Sequence, residues 1–170
     1  MPRLFVAVWP PEEVLDRLAA LDRPEVRGLR WTRRDQWHVT LRFLGGVPDA
    51  APVVEALAGL ALPAADAVLG PAVDRFGRRI VHVPVAGLEA TAAGVVAATA
   101  RLGSPPDERP FHGHITLARA ADRGRVDLRP FTGAIVGAEW RVDAVCLVES
   151  RLSPAGARYE VLEQLSLVDG

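Results

Sequence analysis

The sequence predicts an α+β fold. Strand-like and helix-like segments follow the order β-α-β-β-α-β-β-α-β-β-β-β, so the two types alternate only loosely. Several neighbouring strand patterns are joined by short links, which favours antiparallel pairing over a parallel sheet that would need a crossover at each step. No linker is long enough to separate two domains, and 170 residues suit one domain, 1–170, with a core of its own.

The elements can be justified in order. Arg3–Trp9 is short, β-branched and aromatic, and reads as a strand. Pro10-Pro11 stops it and opens a helix over Glu12–Leu21, with acidic residues in the first turn where the helix dipole favours them. Leu29–Thr32 is a short extended piece, and Trp37–Leu44 is a strand ended by Gly45-Gly46. Ala50–Leu62 has helical period. Ala67–Phe76 and Arg79–Val85 read as two strands of a hairpin around Gly77, and Gly87–Leu102 as a third helix. A Pro-rich loop, Gly103–Pro110, feeds a strand over Phe111–Arg119. After a polar loop, strands are expected at Phe131–Val136, Trp140–Glu149 and Arg158–Val168.

Composition removes several classes of function. All 20 basic residues are Arg, so there is no Schiff-base lysine, no lysine–nucleotide adduct and no Walker A lysine. A net charge of −1 argues against a general nucleic-acid coat, while a local arginine-lined cleft stays open, since the planar guanidinium grips two phosphate oxygens at once. One cysteine, Cys146, excludes an intrachain disulfide framework and a cysteine-ligated zinc finger. The apolar stretches are too short to span a membrane, and acidic residues at 12 and 13 leave no signal peptide; a cytoplasmic setting is expected.

The chemistry lies in a repeat. His38-Val39-Thr40-Leu41 and His114-Ile115-Thr116-Leu117 are both His-[Val/Ile]-Thr-Leu, 76 positions apart (114 − 38). Such a tetrapeptide is expected at roughly one position in a hundred thousand, so chance does not account for two. Strand alternation puts each His and Thr on one face and the apolar residues on the other. Two imidazoles in one cleft can serve as base and acid for in-line hydrolysis of a phosphodiester, because their unperturbed pKa of about 6.5 allows either role. Thr40 and Thr116 could hold the non-bridging oxygens between them. The scheme needs no metal and no cofactor.

With these motifs the chain resembles the 2H phosphoesterase superfamily, and within it the RNA 2′,3′-cyclic phosphodiesterases, also called 2′-5′ RNA ligase-like proteins. The similar stretches are Arg3–Trp9, Leu29–Gly45, Phe111–Arg119 and Val145–Leu162 with Ser150, Gly156 and Tyr159. The resemblance implies a bilobed, pseudo-two-fold architecture, with two antiparallel-rich sheets flanking a central cleft and helices outside. It implies an RNA 2′,3′-cyclic phosphate end as substrate and a 2′-phosphate as product, with His114 activating water and His38 protonating the 3′-oxygen. One departure is Gly113, where the family often has Pro. No obligate protein partner is implied. ATP-dependent ligation is ruled out by the missing lysine, leaving ligation only as the reverse of ring opening.

Two arginines are further candidates for substrate binding. Alternation puts Arg42 on the His38 face, whereas Arg119 falls opposite His114 and needs a bulge to reach the cleft; the resemblance favours Arg119. His112 shares a face with His114, yet the nearest carboxylates, Asp107 and Glu108, sit in a preceding loop, so no metal site is expected. His82, Trp37, Phe43 and Cys146 read as core residues. Two alternatives remain: the same site acting on a small cyclic nucleotide or 2′-5′ oligonucleotide, and a non-catalytic RNA-binding module.

Overall fold

The computed structural model describes residues 1–122 and 125–169. Ten strands and three helices follow one another as β1 (Arg3–Val8), α1 (Glu12–Ala19), β2 (Leu29–Trp31), β3 (Val39–Gly46), α2 (Ala51–Ala58), β4 (Ala65–Leu69), β5 (Asp74–Phe76), β6 (Ile80–Ala86), α3 (Glu89–Thr99), β7 (His114–Ala120), β8 (Ala138–Val142), β9 (Ala144–Ser153) and β10 (Gly156–Ser166). The α+β reading holds. The order across the sheet is β10-β9-β1-β3-β7-β6-β4-β8, with β2 added to β7 and β5 to β6, and every one of these pairings is antiparallel.

The two sheets expected from the resemblance are the halves of this one sheet. They meet where β3 and β7 pair, through Val39 opposite Ile115. These are the same position of the two His-[Val/Ile]-Thr-Leu motifs. Equivalent residues facing each other across an antiparallel pair define a local two-fold axis between them, and the sheet order repeats outward from that axis in both directions.

The apolar face of the sheet carries the core. Val39, Leu41, Ile115 and Leu117 are buried on it with Leu4, Val6 and Leu147. Each helix turns an apolar stripe towards it, through Val14, Leu15 and Leu18 of α1, Val53 and Leu57 of α2, and Ala92 and Val95 of α3. Trp37 is fully buried here, as expected.

Three expected elements differ. The strand proposed over Phe131–Val136 is a 3₁₀ turn, Arg129–Phe131, followed by a single bridge from Ile135 to Ala72. Trp140–Glu149 is two strands broken at Asp143, and Ala67–Phe76 is two strands broken around Gly70-Pro71. The polar loop after Arg119 includes positions 123 and 124, which lie outside the described residues. Gly113 has a local reason: a Cβ there would press into the backbone carbonyl of Val85, to whose amide Gly113 is already hydrogen-bonded (2.8 Å).

Candidate active site

Both motifs contain the same irregularity. In β3, Ala7 faces Thr40 and Val6 faces Arg42, so Leu41 is an extra residue with no partner of its own. In β7, His82 faces Thr116 and Val81 faces Ala118, so Leu117 is extra in the same way. Such a bulge turns two successive side chains to one side and shifts the alternation beyond it. Leu41 and Arg42 therefore both point inward, as do Leu117 and Ala118, while Phe43 and Arg119 emerge on the cleft face.

This settles where the candidates lie. His38, Thr40, His114, Thr116 and Arg119 line one cavity of about 490 Å³. Arg42 does not. It is 4% exposed and points to the end of α3, donating to the carbonyls of Phe43 (2.8 Å), Leu102 (3.2 Å) and Ser104 (2.6 Å) and lying 3.4 Å from Thr99 Oγ1. The expectation that Arg42 binds substrate is thus corrected: the bulge at Leu41 turns it away from His38. Phe43, read as core, is corrected the other way; it is 48% exposed in the cavity wall, with the Arg3 guanidinium 5.7 Å from its ring centre.

The two imidazoles are held alike. His38 Nδ1–H donates to the Gln36 carbonyl (2.7 Å) and His114 Nδ1–H to the His112 carbonyl (2.7 Å). A carbonyl can only accept, so each neutral ring carries its proton on Nδ1 and leaves the lone pair of Nε2 free to work. His38 Nε2 lies 3.0 Å from Thr40 Oγ1, which can donate to it. Thr32 braces the second motif from behind: its Oγ1 is 2.9 Å from the carbonyl oxygens of Thr116 and Leu117 and accepts from Trp37 Nε1 (3.0 Å).

Their surroundings differ. His38 is ringed by Phe5 (5.1 Å), Trp9 (5.0 Å) and Tyr159 (5.1 Å between ring centres). Burial pushes its pKa down to about 4, helped by the charges of Arg119 and His114 and opposed by the bond to Gln36. His114 packs against Phe76 (4.8 Å) and His82 (5.3 Å). Its pKa is also lowered, first by burial and then by Arg119 and His112. His82 is 3% exposed and stacked on Phe76, and among the described residues neither ring nitrogen has a partner. Burial holds it down at about 4, so it stays neutral.

The cavity wall is cationic. Among the described residues, Arg3, Arg30 and Arg119 line it and no Asp or Glu does. Ser150, Tyr159, Trp31 and Gln36 complete the wall with the tip of the β9–β10 hairpin, where Gln36 Nε2 donates to the Ala157 carbonyl (2.9 Å). Sequence reasoning missed Arg30 and Gln36, for which it holds no signal, and Arg3, which the alternation of β1 puts on one face with Phe5. The alternation of β1 did offer one for Phe5 and Trp9, which share the face opposite Leu4, Val6 and Val8. His112 is exposed and offers its carbonyl to His114; among the described residues no group of three or more metal-ligating side chains is assembled.

The family model for LigT like phosphoesterases matches residues 8–70 and 81–159, spanning both motifs. The chain belongs to the LigT-like phosphoesterases. These are members of the 2H superfamily, as the motifs led one to expect. An RNA 2′,3′-cyclic phosphodiesterase of Thermus thermophilus is 34% identical over 97% of this chain and 90% of its own length. A protein of the same name from Geobacillus stearothermophilus is 38% identical over 52% of this chain and 32% of its own. The crystal structure of E. coli LigT with 3′-AMP superposes with a TM-score of 0.78 at 27% identity, covering 99% of this chain and all of that one (100%).

Proposed function

We propose that this protein hydrolyses 2′,3′-cyclic phosphate ends of RNA to 2′-phosphates, with His38 and His114 as the acid–base pair, and that residues 1–170 form one domain whose two lobes supply one imidazole each. The observation that carries the reading is the matched pair of Nδ1-anchored imidazoles on one cavity that, among the described residues, is lined by three arginines and no carboxylate. The names of the Thermus and Geobacillus relatives support the substrate.

In this scheme the cyclic phosphodiester anion enters beside Arg119, and Thr40 and Thr116 donate to its non-bridging oxygens. His114 Nε2 takes a proton from water as the water oxygen bonds to phosphorus. The bond from phosphorus to O3′ breaks, and His38, which has first taken a second proton on Nε2 from solvent, delivers that Nε2 proton to O3′, leaving a 2′-phosphate monoester and a free 3′-hydroxyl. The acid role falls on an imidazole that burial makes hard to protonate. The substrate's negative charge, brought against His38, raises its proton affinity at the moment it is needed. Phe43 in the cavity wall offers a face on which a base can stack. No helix of the described residues is long and apolar enough to cross a membrane; an RNA substrate and a lone free cysteine support a cytoplasmic setting.

The test is to incubate an RNA oligonucleotide ending in a 2′,3′-cyclic phosphate with the protein in EDTA and follow the product by phosphorus NMR. A 2′-phosphate is expected, with activity reduced at least ~100-fold in His38→Ala and in His114→Ala while RNA binding persists. Binding without turnover in the unaltered protein overturns the reading in favour of an RNA-binding module. Turnover confined to mononucleotides reassigns the substrate.

A further inference from the structure

Arg30 and Arg119 are cross-strand partners. In the β2–β7 pair Arg30 lies directly opposite Arg119, with Trp31 opposite Ala118, and residues so opposed share a face of the sheet. Both are exposed and both line the cavity. Like charges placed opposite each other on adjacent strands repel, and neither is neutralised: among the described residues no carboxylate pairs with Arg30 or Arg119. Arg33, nearby, has Asp35 at 3.1 Å. Arg30 has only a neutral acceptor, the Ala155 carbonyl at 2.6 Å, in the hairpin tip that closes the cavity.

The two arginines stand at different depths. Arg119 acts on the reacting centre, since its charge lowers the proton affinity of both His38 and His114. Arg30 is on the next strand over. Thr116, the anchor of the reacting phosphate, is only two partner-strand steps from Arg119 across the Leu117 bulge, or about 7 Å, and Arg30 stands one strand, about 5 Å, to the side. The combined offset, about 8–9 Å between backbones, sets Arg30 apart from the phosphate anchor along the same cavity.

We propose that Arg30, with Arg119 beside it, forms a second phosphate subsite that takes the phosphodiester on the 5′ side of the terminal nucleotide. This rests on the phosphodiesterase reading and sharpens it, because a mononucleotide 2′,3′-cyclic phosphate has no such group and an oligonucleotide does. The anion relieves the repulsion between the two guanidiniums and replaces the Ala155 carbonyl, a weaker acceptor for a cation. Arg30 thus measures whether the end belongs to a chain.

The experiment compares three substrates: adenosine 2′,3′-cyclic phosphate, a dinucleotide ending in a 2′,3′-cyclic phosphate, and the same dinucleotide with an uncharged methylphosphonate linkage. For the unaltered protein the charged dinucleotide should exceed the uncharged one in kcat/KM by about 10–100-fold, the usual scale of a charged hydrogen bond. Arg30→Gln should collapse that ratio towards one, and Arg30→Lys should restore part of it. The slope of log kcat/KM against log salt for the charged dinucleotide should fall by about one in Arg30→Gln. Because Arg30 also holds the hairpin tip, a purely structural role would depress all three substrates together and leave the ratio intact; that result overturns the proposal. Binding of the corresponding 2′-phosphate dinucleotides, measured by calorimetry, keeps the two readings apart. Lost preference for the charged linkage in Arg30→Gln, without turnover in any protein, upholds the subsite while refuting the phosphodiesterase.

Discussion

Replacing Arg42 by Ala separates its two possible roles. The guanidinium is buried and donates to three carbonyl oxygens, those of Phe43, Leu102 and Ser104. Leu102 and Ser104 follow the C-terminal end of α3, where unpaired carbonyls accumulate and a cation is favoured. Truncation removes all of these bonds at once. The acceptors are only part-buried, so each lost bond costs about 1 kcal/mol, and losses that share one side chain do not add fully. The side chain also leaves a void between β3 and α3. A loss of about 3–5 kcal/mol is expected, large for a single substitution. At about 2–4 °C per kcal/mol for a chain of this size, Tm should fall by roughly 6–20 °C. Urea unfolding gives the stability, and kcat/KM on a cyclic-phosphate oligonucleotide, measured well below the midpoint, gives the function. Activity of the folded variant should stay within about threefold. A variant as stable as the parent but with kcat/KM reduced tenfold or more would refute this reasoning and return Arg42 to the substrate.

Other expectations follow from the same geometry. If His38 protonates the leaving oxygen, His38→Ala should recover most of its lost rate on a substrate whose leaving group needs no proton, such as a nitrophenolate ester, and His114→Ala should not; the opposite pattern exchanges the roles. His38 and His82 both titrate near 4 in the folded chain against about 6.5 when unfolded. The unfolded state therefore binds more protons between those values, and stability should fall as pH drops from 6.5 to 4, by up to ~1.4 kcal/mol per pH unit for each imidazole, levelling off below. Urea midpoints at pH 7, 5.5 and 4.5 check the sign, and a midpoint that rises on acidification sinks it. Gly113→Ala drives a methyl group into the Val85 carbonyl one residue before His114. It should lower stability by about 1–3 kcal/mol and kcat by ~10-fold or more as His114 is displaced, whereas an unchanged kcat would show that the strand absorbs the methyl group.

Much of this molecule was legible in its residues, and the limits have physical causes. The motifs announced themselves because a repeated tetrapeptide needs no structural knowledge to be seen. Strand alternation then placed His38 with Thr40 and His114 with Thr116 on one face, and it failed at the next step. The bulges at Leu41 and Leu117 change no residue type and no spacing. A rule of strict period two therefore turned Arg42 outward and Phe43 inward, the reverse of what the chain does. Only for Arg119 did the family resemblance call for an irregularity in advance. Arg30 and the hairpin tip escaped for another reason. They are brought together by residues more than 120 positions apart, and local patterning carries no information at that range. Phe131–Val136 misled because, among the described residues and beyond its own 3₁₀ turn, its backbone bonds only to Pro71 and Val73, in the link between β4 and β5, and its Ile135 is exposed, so no regular ladder forms.

The opposition of Val39 and Ile115 at the centre of the sheet has a consequence for the direction of the reaction. Around that axis the inner machinery is the same read from either end: an imidazole, a hydroxyl and a bulge on each strand. A cyclic phosphate turned end for end would meet equivalent groups, with acid and base exchanged, and would open at the other ribose oxygen. Which isomer emerges is therefore decided outside the duplicated centre, where the halves diverge. Phe5, Trp9 and Tyr159 surround one histidine and Phe76 and His82 the other, while Phe43 and Arg119 take the matching positions beyond the two bulges. Product identity in such an enzyme is a property of its periphery, and exchanging Phe43 and Arg119 is the change from which a reversed isomer ratio would be sought.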